Sequence, residues 1–343
     1  MMRLPLSWLL AFTTAALALL LLGSLATGPM TLTLGESLRA LFAGQESGIE
    51  SHKLLIVQEI RLPRTLLCIA VGGILGLCGS VMQGLFRNPL ADPGIIGVSG
   101  GAALGAALAI VLLAPLGQQL QATIGVGLLP LLAFLGGALT TTLVYLLGTR
   151  EGGTSVTVML LAGVAITALS GAVIGLLTYL ADDQMLRNLS LWQMGTLAAG
   201  KPVDVALALL TLAALLWLFM RDANPLNALL LGEGEARHLG VNVQSLKRRL
   251  ILLTAAGVGV AVAVSGMIGF VGLVVPHLVR LLAGPNHVRL LPLSALLGAA
   301  LLLAADMLAR TLLAPAELPV GIITALLGAP FFIWLLVKGR RAL

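Results

Sequence analysis

Apolar runs near 4–27, 62–85, 94–115, 123–148, 156–180, 202–220, 250–268, 269–283, 288–313 and 319–337 follow one another along this chain, parted only by short charged breaks. A helix crosses the hydrocarbon of a bilayer with about 20 apolar residues, and it does so as a helix because every backbone N–H and C=O in lipid needs an internal partner. The runs lack the alternating segments of a transmembrane barrel. They predict an all-α polytopic membrane protein of about ten transmembrane helices. Composition removes the soluble alternative: 59% of residues are hydrophobic and only 10% charged, whereas soluble domains carry about a quarter charged residues. The eighth run is short and opens among Ser265, Gly266, Gly269 and Gly272. It predicts a broken or half-length helix, which is tolerated only where protein or a cavity surrounds it. With no linker or low-complexity tract, residues 1–343 read as one transmembrane domain.

The first run follows Arg3 and lacks a small-x-small cleavage site, so it reads as an uncleaved span rather than a signal peptide. If the N-terminus is inside, thirteen of the 20 basic residues fall on inner segments, among them Arg87, Arg150, Arg221, Arg237, Lys247, Arg248, Arg249, Arg280, Arg289, Lys338, Arg340 and Arg341. The outer segments keep Arg39, Lys53, Arg61, Arg64, Arg187, Lys201 and Arg310, interspersed with acids such as Glu36, Glu46 and Glu317. The positive-inside rule then puts both termini in the cytoplasm. The net charge of +6 is spread over span ends and forms no basic stripe with interleaved aromatics, which argues against nucleic acid.

One long polar stretch interrupts the second half of the chain. Residues 221–249 hold eight of its 34 charges: Arg221, Asp222, Glu233, Glu235, Arg237, Lys247, Arg248 and Arg249. Topology places this stretch in the cytoplasm, as a handle for something outside the membrane.

Motifs for chemistry are few. Gly195 to Lys201 have P-loop spacing, but Pro202 replaces the Mg²⁺-binding hydroxyl and no strand precedes, so the match reads as fortuitous. Cys68 and Cys78 lie ten residues apart in one span and read as packing residues rather than a disulfide or metal pair. His52, His238, His277 and His287 show no metal-ligand spacing. Asp306 and Arg310, four apart near the outer end of the ninth span, either pair locally or present the arginine to an acidic partner. The turn at 83–94 has Asp92 positioned to cap and Pro93 suited to a first helical turn. Gly72/Gly76, Gly101/Gly105 and Gly171/Gly175 have the spacing by which helices approach closely in lipid; those of the fifth span also suit contact with a second copy.

Several of these stretches carry a resemblance. RLPR (61–64), QGLFRNPLADPGIIGVSGGAALGA (83–106), LLAGVAI (160–166), GFVGLVVPHLVRLL (269–282), LLPLSALLGA (290–299) and ELPVGIITALLGAPFFIWLL (317–336) are similar to the FecCD-type permeases, the membrane subunits of type II ABC importers for iron-siderophores, haem and cobalamin. The resemblance spans nearly the whole chain. It implies a ten-span permease working as a homodimer, with two cytoplasmic ATPase subunits and a periplasmic substrate-binding protein, in the bacterial inner membrane. The permease itself is then no enzyme and binds no cofactor or metal, since ATP and Mg²⁺ belong to the partner ATPase.

In the family a cytoplasmic hairpin, here about 223–246, couples ATP-driven motion to the channel. Its contact residues map onto Gly232, Glu233, Glu235, Ala236, Arg237, His238, Leu239 and Gly240, with Lys247 to Arg249 left as the basic anchor of the seventh span. Outer arginines that meet glutamates of the binding protein map onto Arg61, Arg64 and Arg310. The cytoplasmic gate maps onto Ser155, Val156 and Thr157, where Val156 departs from the hydroxyl-rich turns of some relatives. The wording of 154–166 and 176–197 is most similar to haemin permeases, which favours haem as cargo, with Met82, Met194 and Met267 as available soft contacts. A ferric siderophore or cobalamin is the alternative within the family. An ion-coupled secondary transporter is the alternative outside it, although it calls for acidic or histidine relays near the midplane.

Overall fold

The computed structural model describes residues 5–30, 32–42, 50–114, 127–150, 153–198 and 200–340. Arg3, Glu46 and Arg341, and the predicted span ends at 4, 115 and 123–126, lie outside the described residues.

Among the described residues, helices α1 (Leu6–Ala26), α4 (Leu62–Leu85), α6 (Leu128–Gly148), α7 (Val156–Leu180), α9 (Pro202–Arg221), α12 (Val243–Ser265) and α14 (His287–Thr311) are long and apolar enough to cross a membrane. Three shorter apolar helices, α5 (Val98–Val111), α13 (Val271–Ala283) and α15 (Val320–Arg340), complete the series. All ten coincide in order with the apolar runs of the sequence. The second begins earlier than expected: α3 (Ser51–Leu55) continues through a π-helical stretch, Ile56–Arg61, directly into α4. The polar segments supply four further helices, α2 (Leu34–Phe42), α8 (Asp183–Gln193), α10 (Ala223–Leu230) and α11 (Glu233–His238).

Close backbone contact holds the bundle together. A Cβ on Gly72 would stand 2.4 Å from the Gly298 carbonyl oxygen, and one on Gly76 would stand 2.4 Å from that of Ser294, so α4 and α14 cross with no room for a side chain. Gly101 and Gly105 meet the backbone of Gly136 and Leu132 in the same way, locking α5 to α6. In lipid such van der Waals contact substitutes for the hydrophobic drive that water provides. By contrast, Gly171 and Gly175 of α7 meet nothing within 4 Å. Their face of α7 is open in the protomer.

The expected break in the eighth span is real. Helix α12 ends at Gly266, and α13 starts only after Phe270, whose φ of 66° is an uncommon conformation for an aromatic residue. Asp92 also acts as expected, its Oδ1 accepting the Gly94 N–H at 2.7 Å, although it caps the 3₁₀ turn Pro93–Ile96 that precedes α5 rather than α5 itself.

A capping box opens α2. Glu36 Oε2 accepts the Thr33 N–H at 2.8 Å, Thr33 Oγ1 accepts the Glu36 N–H at 3.2 Å, and Lys53 Nζ reaches Glu36 at 2.8 Å. The Lys53 hydrogen bond, then those from Thr33, pull the Glu36 pKa from 4.5 to about 2. A depressed carboxyl stabilises the fold above its unfolded pKa and loses that contribution as pH falls toward its folded one. The contribution of Glu36 to amide-exchange protection of α2 should therefore be full at pH 5, decline below about 4.5 and be lost near 2.

Candidate functional site

The 221–249 stretch folds into two short helices beneath the bundle. Asp222, buried, accepts from Arg249 Nε at 2.8 Å and also pairs with its Nη2, which fixes α10 against the start of α12. Asn227 of α10 accepts from the His287 N–H at 2.8 Å and donates to Asn286 Oδ1 at 3.0 Å, so α10 is tied to the start of α14 as well. Helix α11 ends in a Schellman motif: the Val241 N–H reaches Ala236 O at 3.0 Å and the Gly240 N–H reaches Arg237 O at 2.9 Å. Gly240 sits at φ 82°, where a side chain is strained.

This geometry sorts the predicted coupling residues. Ala236 is the buried pin of α11, whereas Gly234, Glu235, Arg237, His238, Leu239 and Gly240 are exposed. Leu239 at 64% and Leu231 at 68% exposure are apolar groups on a polar segment with nothing in the protomer to cover them. Arg237 stands only 3.7 Å from Glu233 and keeps its side chain 59% exposed. A cleft of about 440 Å³ opens beside them, lined by Arg237, Gly240, Asn242, Gln244 and Gly153.

Two residues depart from their sequence reading. Glu233 turns inward, its Oε1 only 2.6 Å from Lys247 Nζ. Lys247, part of the basic anchor of the seventh span, is 2% exposed and also donates to the Thr154 carbonyl at 3.1 Å. Thr154 closes a two-pair antiparallel hairpin, β1 (Thr149–Arg150) with β2 (Gly153–Thr154). The predicted gate residues follow at once. Ser155 Oγ accepts the Val158 N–H at 3.4 Å to cap α7, Val156 is half-buried and Thr157 is exposed. Gln244 and Lys247, far away in sequence, are therefore bonded to Thr154, the residue immediately before the predicted gate turn, which no local motif signals.

The opposite end of α14, roughly 35 Å away at 1.5 Å per residue, carries the predicted docking arginines. Arg61, Arg64 and Arg310 are all buried. Arg64 donates to Asp306 from Nε at 3.0 Å and from Nη2 at 2.9 Å, and from Nη1 to Glu317 at 2.7 Å. Arg310 Nε stands 3.0 Å from Asp306 Oδ2, in ion-pair contact without hydrogen-bond geometry, and its other nitrogens donate to Ser24 Oγ at 2.7 Å and Thr27 O at 3.2 Å. Arg61 Nη1 donates to Leu25 O at 2.7 Å and Ala26 O at 2.8 Å. In the protomer the three guanidinium groups thus turn inward rather than outward. Buried guanidinium donors need partners, and apart from Arg310 Nε, which has only its ion-pair contact, these find them in carbonyls, carboxylates and the Ser24 hydroxyl of α1, α14 and their flanking loops. Of the two readings of Asp306 and Arg310, the local pair holds, extended by Arg64.

Between these ends, the break before α13 borders a second cavity of about 440 Å³. Asp92, Gln193, Met194, Met267, Phe270 and Ile322 line it, so two of the three singled-out methionines meet there, whereas Met82 is wholly buried in α4. Burial pushes the Asp92 carboxyl above its ordinary range. Two amides of the P-loop-like segment are already engaged: the Gly195 N–H on Trp192 O at 3.1 Å and that of Thr196 on Ser265 O at 2.8 Å.

Comparison with known proteins agrees with this architecture. Residues 16–338 match the model of the FecCD transport family. The chain is 47% identical to "Hemin transport system permease protein HmuU" of Yersinia pestis over 97% of its own length and 96% of that protein's. It is 41% identical to "Vitamin B12 import system permease protein BtuC" of Shigella boydii, over 97% and 96%. Among solved structures, one described as an inward-facing conformation of a metal-chelate type ABC transporter superposes with a TM-score of 0.82 at 34% identity, covering 96% of this chain and 98% of that one. A fold of ten apolar helices, a polar hairpin at one end and family-wide similarity along nearly all its length make this chain a multi-pass membrane permease of the FecCD transport family, with the fold of a type II ABC importer permease.

Proposed function

We propose that this chain is the membrane subunit of an ATP-driven haem importer. Two copies form the pathway, two cytoplasmic ATPase subunits dock beneath on α10 and α11, and a periplasmic binding protein delivers haem above. The complex lies in the bacterial inner membrane with both termini cytoplasmic, and alternating access moves the cargo inward. The observation that carries haem is the 47% identity to the hemin permease along nearly the whole chain, against 41% to the vitamin B12 permease over the same span. The thioethers of Met194 and Met267 and the Phe270 ring, gathered on one cavity, suit an apolar macrocycle. The open Gly171 and Gly175 face of α7 suits close approach of a second copy. Exposed Leu231, Arg237 and Leu239 suit the ATPase.

Cobalamin is the second reading, favoured by the similarity to vitamin B12 permeases. Ion-coupled transport gains no support from Asp306, because Arg64 and Arg310 both neutralise it. Uptake into liposomes holding the permease, its ATPase and its binding protein, offered haem, a ferric siderophore and cobalamin in turn, tests the assignment. Haem should accumulate; accumulation of cobalamin or the siderophore alone would overturn the haem reading.

A further inference from the structure

We propose that Lys247 is the positioning residue that makes the gate turn follow the cytoplasmic hairpin. This deepens the importer reading and rests on it.

The backbone of Thr154, immediately before the gate turn, is held on both sides by α12. Its carbonyl accepts from Lys247 Nζ at 3.1 Å, and its N–H donates to Gln244 Oε1 at 3.1 Å. Gln244 and Lys247 are three residues apart and so share one helix face. The other contact of the Lys247 ammonium is Glu233 Oε1 at 2.6 Å, on the first residue of α11. Lys247 is buried, so withdrawing Glu233 would leave an uncompensated charge, and α11 and Thr154 are bound to move together. The structure on the far side of Thr154 is slight: two residue pairs of β-hairpin and a contact between Thr149 and Thr154 hydroxyls at 3.1 Å. Just beyond it, the Ser155 N–H meets Gly148 O at 2.8 Å and α7 begins. A displacement of α11 thus meets a short, part-buried ion pair on one side and a lightly tethered turn on the other. The turn is the part that yields.

A merely structural lysine would affect folding; a relay affects how much transport each ATP drives. The test uses the permease dimer with its ATPase and binding protein in liposomes, and reads ATP hydrolysed per haem imported. A second readout is maleimide labelling of Thr157→Cys before and after vanadate trapping; Thr157 is exposed, while the native Cys68 and Cys78 are buried. Lys247→Met keeps the bulk and removes both bonds. It should raise ATP consumed per haem at least tenfold and abolish the trapping-dependent change in labelling while hydrolysis continues. Lys247→Arg keeps both donors and should restore most of the coupling. If Lys247→Met does not yield a monodisperse dimer, the Glu233→Gln/Gln244→Leu double variant is read by the same criteria. Wild-type coupling and labelling in the variant that folds would overturn the relay alone. A wild-type complex with no ATP-driven uptake of any cargo would overturn the importer reading together with it.

Discussion

Asp306→Asn is expected to destabilise the protein by about 3–5 kcal/mol, the usual cost of removing one partner from a buried charge cluster. The substitution conserves shape and deletes the one fully buried carboxylate that faces both Arg64 and Arg310. Arg64 would then keep only Glu317, which is partly solvated, and Arg310 would keep no carboxylate partner. Arg310 loses its ion pair but keeps its bonds to Ser24 and Thr27, so the loss falls on charge balance rather than on packing. Thermal unfolding of the purified permease in detergent measures it. Adding Arg310→Met should recover part of the loss, because replacing both members of a buried pair with apolar groups is gentler than stranding one. An unchanged midpoint for Asp306→Asn would contradict a stabilising role for the buried carboxylate.

The second large effect is expected at the 223–246 hairpin. Arg237→Glu combined with Leu239→Glu should weaken association with the ATPase by roughly 30-fold or more, the consequence of losing about 2 kcal/mol at an interface hot spot. Leu239 is an exposed apolar side chain on the same short helix end as an exposed arginine, and arginine is among the residues enriched at the energetic centres of interfaces. Neither side chain supports the fold of α11, which rests on Ala236 and on the Gly240 turn. Co-purification of the ATPase with the double variant, set against an unchanged thermal midpoint of the permease alone, measures the effect. Glu233 behaves differently: because its carboxylate turns inward to Lys247, charge reversal there should disturb coupling more than docking.

The helices were legible in the sequence because lipid imposes length and apolarity on every crossing segment, so each run from Leu6–Ala26 to Val320–Arg340 announces itself. The break before Val271 was legible for the same reason in reverse, as a cluster of glycines in a run too short to cross. Side-chain direction was not. Nothing in the order of residues distinguishes a span-end lysine that reaches water from one that turns inward, and Lys247 turns toward Glu233 and Thr154 only because α11 and the β-hairpin close over it. The inward turn of Arg61, Arg64 and Arg310 was no more legible. Arg64 and Asp306 are 242 residues apart in sequence, and their pairing depends on the close crossing of α4 and α14 that Gly72 and Gly298 permit. The pairing of Asp306 with Arg310 was legible because a four-residue spacing is local to one helix turn.

The coupling of haem import to a separate ATPase is tested most directly by haem accumulation in liposomes containing the permease and its binding protein, with and without the ATPase subunits. Accumulation should require both the ATPase and ATP on the side of the 223–246 hairpin, and a proton or sodium gradient should not substitute for them. Accumulation driven by such a gradient with no ATPase present would contradict it.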